Sequence, residues 1–440
     1  MVAMKIAIIG AGPTGLVAAH ELLKTGASVT IFEGEGDVGG LVRMVPSEGE
    51  PLEAFYHHIF TSDGAVPELA EEMGLQDRLR WYKPSNALFV RGKLRPFTTP
   101  GDLLRLDALS LMDRVRFGLF VLRAQRRRHW GELEGITARQ WVEKEAGRAV
   151  YEVLWHPLLR SKFGEHADDI GATWLWNKIK LRSSSRGAHQ HQEMLGYMDG
   201  GFGLLYETLA EDLRRRGGQI RLSCPVKRVD RAFEGGLRVT TPEGEERFDR
   251  LLATCSPAAL AELAPGLPED FRHRLTALRH MANLCLLMEC DASLSSYYWI
   301  SVAEERCPFV AVVEHTNLLP SSRYGGRHVI YLSRYIDPED PLFRASSSEV
   351  EAVFLDALEG LFPAWSRDSV RRSRLFRARD AQPVAVRGYD ALRPPHATPW
   401  PEVTLAAMAQ IFPEDRGQNY ALRMGRRAPE LMGLAGGGAS

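Results

Sequence analysis

Cysteine is scarce in this chain and poorly placed for cross-linking. The 440 residues hold five (Cys224, Cys255, Cys285, Cys290 and Cys307), an odd number with no Cys-x-x-Cys spacing. They read as reduced core thiols in a reducing compartment, and no metal site is expected. Excess charge is also missing. Lys plus Arg number 55 against 56 Asp plus Glu, a net −1, which provides no global field for nucleic acid or for an acidic partner. No run of about 18 or more apolar residues occurs, so nothing reads as a bilayer-spanning helix. Internal repeats and low-complexity stretches are absent, and only the tail 435–440 reads as disordered. At 45% hydrophobic and 25% charged residues the composition is that of an ordinary globular protein. The length favours two domains, and the expected location is cytoplasmic.

What the chain does have is a glycine-punctuated opening. Ile6–Ile9 is an apolar run that reads as a buried parallel strand. Gly10, Gly12 and Gly15 follow as Gly-x-Gly-x-x-Gly, then a helical stretch, Leu16–Lys24, and a second strand, Ser28–Phe32, that ends at Glu33. Gly10 allows the tight turn, Gly12 lets a pyrophosphate approach the backbone, and Gly15 lets the helix pack closely on the strand. The helix start, with Pro13 and Thr14, offers free N–H groups and the positive end of its dipole to phosphate. Glu33 is placed to bind an adenosine ribose. A secretory signal peptide is the rival reading. The glycines and Pro13 interrupt its apolar core, and no small-residue cleavage site follows.

After Glu33 come Gly34, then Asp37-Val38-Gly39-Gly40 and Arg43. With these residues the opening resembles the N-terminus of the flavin-containing amine oxidase superfamily. That superfamily includes protoporphyrinogen oxidases, phytoene-type desaturases and, more distantly, UDP-galactopyranose mutases. The resemblance implies FAD, with Gly39, Gly40, Leu41 and Val42 running along its phosphate–ribityl side. Many members have Arg directly after the glycine pair; here Leu41 stands there, and Arg43 becomes the candidate for phosphate. A glycine-rich helix start at 196–203, a strand giving Val226, a hairpin and the strand Arg250–Thr254 also resemble the superfamily. They imply that the Val226 backbone meets the adenine edge, the plain alternative being a core valine.

In the C-terminal stretch the family has a strand ending in Gly-Asp or Gly-Glu, whose acid binds the ribityl chain. A helix aimed at the flavin N1–C2=O edge follows. Ala407-Met408 stands here instead, so the ribityl role falls to backbone groups at Met408 or moves to Glu414 or Asp415. The helix start then falls to Gly417, Asn419 and Tyr420. His58-Ile59-Phe60 resembles a ring-facing segment of the mutases and makes His58 the candidate catalytic residue. Its imidazole would orient substrate or take a proton; a paired histidine of the core or surface is the plain alternative.

The expected fold is α/β. A discontinuous Rossmann-type FAD-binding domain takes 1–83, 196–260 and 383–440. An α+β substrate domain takes 84–195, read as helical and Arg-rich, and 261–382. The latter holds an antiparallel sheet of Asn283–Cys290, Tyr297–Val302, Phe309–His315 and His328–Tyr335, and a helix at about Ser348–Leu361. A last strand, Val403–Met408, precedes a short helix ending near Ala428. Within Asp102–Trp130, apolar positions separate from Arg114, Arg116, Arg123, Arg126, Arg127 and Arg128 at helical spacing. This pattern fits a helix packed on one face, a peripheral membrane contact through Arg114–Arg128, or guanidinium groups lining a site for an anionic substrate. The segment resembles helices of phytoene-type desaturases and protoporphyrinogen oxidases, whose substrates are lipophilic. Trp155–Asp169 resembles a region shaping the substrate cavity of the latter.

Taken together, the resemblance implies an FAD-dependent oxidoreductase passing hydride from a largely apolar small molecule to flavin N5. A flavin-dependent nucleotide-sugar mutase is the first rival. A flavin- or lipid-binding protein without catalysis is the second.

Overall fold

Buried β-branched runs build the first layer. Lys5–Ile9 and Ser28–Phe32 each show one exposed residue followed by four buried ones, as strands covered on both faces require. They join a five-stranded parallel sheet in the order Gln219–Arg221, Ser28–Phe32, Lys5–Ile9, Arg250–Ala253, Val403–Leu405. This is a Rossmann-type sheet whose strands come from the beginning, middle and end of the chain. The helix Pro13–Lys24 packs on it through Leu16, Val17 and Leu22. The helix Gln418–Arg426 lies against that helix at Gly425, where a side-chain carbon would stand 2.7 Å from the Thr14 carbonyl and 2.9 Å from Val17 Cβ. The last long helix therefore meets the first nearly backbone to backbone. The computed structural model describes residues 3–184 and 193–434; the tail read as disordered and the stretch 185–192 lie outside the described residues.

The second layer is a seven-stranded sheet in the order Val370–Pro383, His280–Cys290, His328–Ile336, Ala311–Glu314, Trp299–Val302, Asn86–Val90, Lys93–Pro96. Alternation assigns its faces. On His280–Cys290 and His328–Ile336, even-numbered Leu284, Leu286, Ile330 and Leu332 pack with Val350, Phe354 and Leu358 of the helix Ser347–Leu361. Odd-numbered Cys285, Leu287, Val329 and Tyr331 join the core shared with the parallel sheet.

Several expectations need correction. The segment 84–195 is not helical throughout: Asn86–Val90 and Lys93–Pro96 form a hairpin at the edge of the large sheet. A short, almost wholly buried run such as Ala87–Val90 has no period to distinguish strand from helix. The large sheet is mixed, because Asn86–Val90 pairs in parallel with Trp299–Val302. Asp102–Trp130 is broken into Pro100–Leu104 and Leu111–Arg126, each started by a side-chain cap, from Thr99 and Ser110 respectively. The last strand stops at Leu405, and Met408–Gln410 forms a turn of tighter helix. Gln418–Arg426 closes at Arg427, and Pro429 sits inside the first turn of a further short helix, Ala428–Leu431.

Candidate functional site

The glycine turn is built as its spacing requires. Gly10 has φ +103°, and a Cβ on Gly15 would fall 2.0 Å from the Gly10 carbonyl oxygen. Around Gly12 nothing lies within 4 Å of where a Cβ would be, which leaves open room above the helix start. The Pro13–Lys24 helix has no side-chain cap, so its first amides, from Thr14 onward, are left to a ligand or water. Glu33 Oε2 accepts from Ala11 N at 2.7 Å and Oε1 from Glu35 N at 2.9 Å, holding the carboxylate beside the turn. Gly39 N donates to Ala11 O at 2.8 Å, and a Cβ on Gly40 would stand 3.3 Å from Gly12 Cα. Leu41 is half-buried and Val42 buried. Arg43 donates to Gly40 O at 3.3 Å, and its guanidinium lies 5.9 Å from the Phe55 and Phe376 ring centroids.

The loop carrying Val226 is tied to the same end. Cys224 N donates to Glu33 O at 2.8 Å and Ser223 N to Glu35 O at 2.7 Å. Pro225 faces Gly34, and half-buried Val226 packs on the core that includes Phe32 and Val229. Val226 lies in the loop just before the strand Arg228–Arg231.

At the other end, Gly417 starts Gln418–Arg426 without a side-chain cap. Gln418 is buried; its Oε1 accepts from the Tyr206 hydroxyl at 2.7 Å, while Nε2 has no partner among the described residues. Asn419 accepts from Ala65 N at 2.9 Å and so faces the helix Ala65–Glu72. Tyr420 and Met408 are half-buried. Open space at Gly12, two uncapped helix starts and the orphaned Gln418 amide all fit an extended dinucleotide carrying phosphates at one end and a polar ring edge at the other.

Asp415 serves a different assembly from the ribityl contact considered for it. Its Oδ1 accepts from Trp174 Nε1 at 3.2 Å and Gln382 Nε2 at 3.0 Å. Its Oδ2 pairs with Lys178 and, at 3.7 Å, with Lys162. Burial opposes its charge, yet Lys178, Lys162 and Arg416 hold the carboxyl well below the usual range. Burial lowers Lys178 to about 8. Arg416 donates from Nε to Gln382 Oε1 at 3.0 Å and from Nη2 to the Tyr335 hydroxyl. Its guanidinium lies 5.7 Å from the Tyr335 ring centroid.

The two histidines part company here. His57 Nδ1 lies 2.6 Å from the Phe55 carbonyl, which must accept, leaving Nε2 as an acceptor. Burial pushes its pKa down to about 4, and the Arg416 charge acts in the same direction. His58 instead sits among Phe60, Tyr298 and Trp299, with Nδ1 3.1 Å from the Tyr298 hydroxyl. The preceding Glu53 is a buried latch: it accepts from Tyr197 OH at 2.6 Å and Phe202 N at 2.7 Å, and burial raises it to about 6.

Sequence reasoning missed Lys178, Tyr335, Gln382 and Glu53. The resemblance of Trp155–Asp169 to a cavity-shaping region covered Lys162, and the candidate acid Asp415 lies at the centre of the cluster. Beside Tyr335 opens a cavity of about 520 Å³, lined by Phe163, Met281 and Ile336 together with Arg160, Arg334 and five carboxylates, Glu165, Glu305, Asp337, Glu339 and Asp340.

With this geometry in view, comparison with known proteins is specific. Residues 13–428 match the family described as flavin containing amine oxidoreductase. A putative flavin-containing monoamine oxidase, AofH, of Mycobacterium tuberculosis is 24% identical over 312 residues, covering 67% of this chain and 65% of that relative, just under two thirds of its length. The structure of a putative protoporphyrinogen oxidase from Exiguobacterium sp. 255-15 superposes with a TM-score of 0.79 at 18% identity, covering 98% of this chain and 99% of the other. That of reduced UDP-galactopyranose mutase gives 0.73 at 16%, covering 98% and 96%. At such identities the two structures speak to the fold alone. The family match spans nearly the whole chain, and the chain belongs to the flavin-containing amine oxidoreductases, a family of FAD-dependent oxidoreductases.

Proposed function

We propose that this chain is an FAD-dependent oxidoreductase that oxidises a small molecule with a largely apolar body. The observation that carries the reading is the orphaned amide of Gln418 at the start of an uncapped helix. A buried donor without a partner is costly, and a flavin ring edge would satisfy it. FAD, when bound, supplies a hydride acceptor at its N5.

The protein's own residues do the rest. Backbone amides at Thr14 and beyond hold phosphate, Glu33 holds ribose, and Arg43 stands beside the glycine pair. His57, neutral at pH 7, orients substrate by accepting at Nε2, and His58 supports it from the aromatic cluster. The division into 1–83, 196–260 and 383–440 against 84–195 and 261–382 belongs to the same reading.

Purified protein should show the absorption bands of oxidised flavin and bleach anaerobically with substrate. Colourless protein that takes up no added FAD overturns the proposal. Activity on UDP-sugars only after dithionite reduction would establish the mutase alternative, and flavin that no substrate reduces would favour a binding protein.

Peripheral attachment to a membrane completes the reading. The helix Leu111–Arg126 leaves Leu111, Met112, Val115, Leu119 and Leu122 between 45% and 67% exposed, with Arg116, Arg123 and Arg126 among them. No helix among the described residues is long and apolar enough to cross a membrane. Apolar side chains beside arginines suit the surface of an anionic bilayer. Co-sedimentation with anionic vesicles should fall on charge reversal of Arg126–Arg128, and equal binding would count against attachment.

A further inference from the structure

The wall of the cavity beside Tyr335 carries more negative than positive charge, five carboxylates against Arg160 and Arg334. Three of those acids are already engaged. Glu339 pairs with Arg344 and Arg379, Asp340 accepts from Leu342 N at 2.8 Å, and Glu305 lies 3.4 Å from His156 Nδ1. Glu165 and Asp337 differ, because they converge on a histidine. One ligand atom from each of Glu165, His166 and Asp337 lies within 4.8 Å of the other two. Glu165 and His166 stand in the tight helical turn Gly164–Asp169, and Asp337 directly follows the strand His328–Ile336. Two separate walls of the cavity meet at this point.

A cation already stands at the cluster. Arg279 Nη1 lies 3.4 Å from His166 Nε2 and 3.8 Å from Glu165 Oε1. A ring nitrogen that meets a guanidinium must accept, so Nε2 turns its lone pair toward positive charge, as metal ligation requires. The Arg279 side chain is 67% exposed and can withdraw into water at little cost. Asp337 Oδ1 accepts from Glu339 N at 2.8 Å, and among the described residues no lysine or arginine pairs with this carboxylate.

We propose that Glu165, His166 and Asp337 form a binding site for a divalent transition-metal cation, zinc being the best match, which fastens the helical wall of the cavity to its sheet wall. Two carboxylates offset the charge of the dication, the neutral imidazole adds a nitrogen donor, and water completes the coordination. Magnesium prefers oxygen ligands alone and fits this set less well. The expectation of no metal site rested on cysteine spacing, and no cysteine belongs to this set. None of the three residues is among those assigned to FAD, so the site goes beyond the functional reading and does not depend on it.

The test is calorimetric titration of the full chain at pH 7, stripped with EDTA and gel-filtered, with zinc chloride and with magnesium chloride. Zinc should bind at least ~10-fold more tightly than magnesium and should raise the Tm by mass action. His166→Ala and Asp337→Asn should each weaken zinc by at least the ~10- to 100-fold that loss of a ligand's outer partner costs. Arg279→Ala, a change at an exposed side chain, should tighten zinc because the competing guanidinium is gone. Zinc binding no tighter than magnesium in the unaltered protein overturns the proposal without any variant. Unchanged zinc affinity in His166→Ala and Asp337→Asn also overturns it, since the ion would then sit on other histidines. So does Arg279→Ala protein that binds zinc no more tightly than the original.

Discussion

The nucleotide end and the interior near Asp415 handle charge in opposite ways. At the nucleotide end the anion-binding surface is mostly backbone: amides of a helix start, a glycine turn, and one carboxylate pinned by two further amides. At the other end Lys162, Lys178, Asp415 and Arg416 are held together by side chains from three separate stretches of chain. A backbone cradle positions donors without ionisable groups, and it fails only if something fills its space. The side-chain cluster depends on one carboxylate among three cations, and it fails if that charge is lost.

Filling the space should have the largest effect. Gly15→Val places carbon about where the Gly10 carbonyl already stands, 2.0 Å away at Cβ alone. The penalty should exceed the ~3 kcal/mol of ordinary overpacking, and the expected outcome is protein that does not fold or retain FAD. Gly12→Ala is the matched control, with no protein atom within 4 Å of the new carbon. It should fold with a Tm within a few degrees of the original, ~1 kcal/mol or less, yet bind FAD at least ~10-fold more weakly. Full FAD affinity in Gly12→Ala would show that no phosphate passes there, and the comparison would break on that side.

Removing the shared carboxylate is the counterpart. Asp415→Asn removes the carboxylate that pairs with Lys178 and Lys162, and breaking such a buried pair costs about 3 kcal/mol or more. Urea unfolding should register that loss. Adding Lys178→Met should recover part of it, because one of the repelling charges goes too. A double-mutant coupling below ~0.5 kcal/mol would mean that the residues act independently, and the cluster would be a coincidence of neighbours.

The same contrast explains what the sequence disclosed. A backbone site leaves glycines at fixed offsets, so Gly10, Gly12, Gly15, Glu33 and Gly39–Gly40 could be read in order, and the structure brings them together at one turn. The parallel sheet and the four middle strands of the large sheet were legible for the same reason, since buried runs and alternation are local signals; Val370–Pro383, its longest strand, was not. Asn86–Val90 was not, because its pairing with Trp299–Val302 is set by tertiary neighbours more than 200 residues away. Lys162, Lys178, Gln382 and Arg416 are also spread across more than 200 positions, and no periodicity marks a lysine that will be buried. Resemblance drew attention to His58, but the structure puts His57, the other member of the pair, under the influence of Arg416. Neighbouring residues on an extended segment point opposite ways, and a histidine pair does not reveal which surroundings each member meets.

Glu53 gives the smallest effect and the sharpest sign. It lies between the two regions, on the segment leading to His57, and fixes that segment to Tyr197 and Phe202. Burial raises its pKa from 4.5 to about 6. Between those values the folded state holds the proton more tightly than the unfolded chain. The resulting stabilisation is complete below about pH 4.5 and lost as pH rises through about 6, in total about 2 kcal/mol. Glu53→Gln keeps the shape without the charge: its Oε1 still accepts from Phe202 N, and its amide can donate to a reoriented Tyr197 hydroxyl. The variant should therefore match the original near pH 4.5 and exceed it by up to ~2 kcal/mol at pH 8, in urea midpoints measured across that range. Asp63, which burial also raises to about 6, titrates in both proteins and cancels in the difference. A difference that stays constant with pH would mean that Glu53 is not the buried acid described, and that the link between the two regions is made by packing alone.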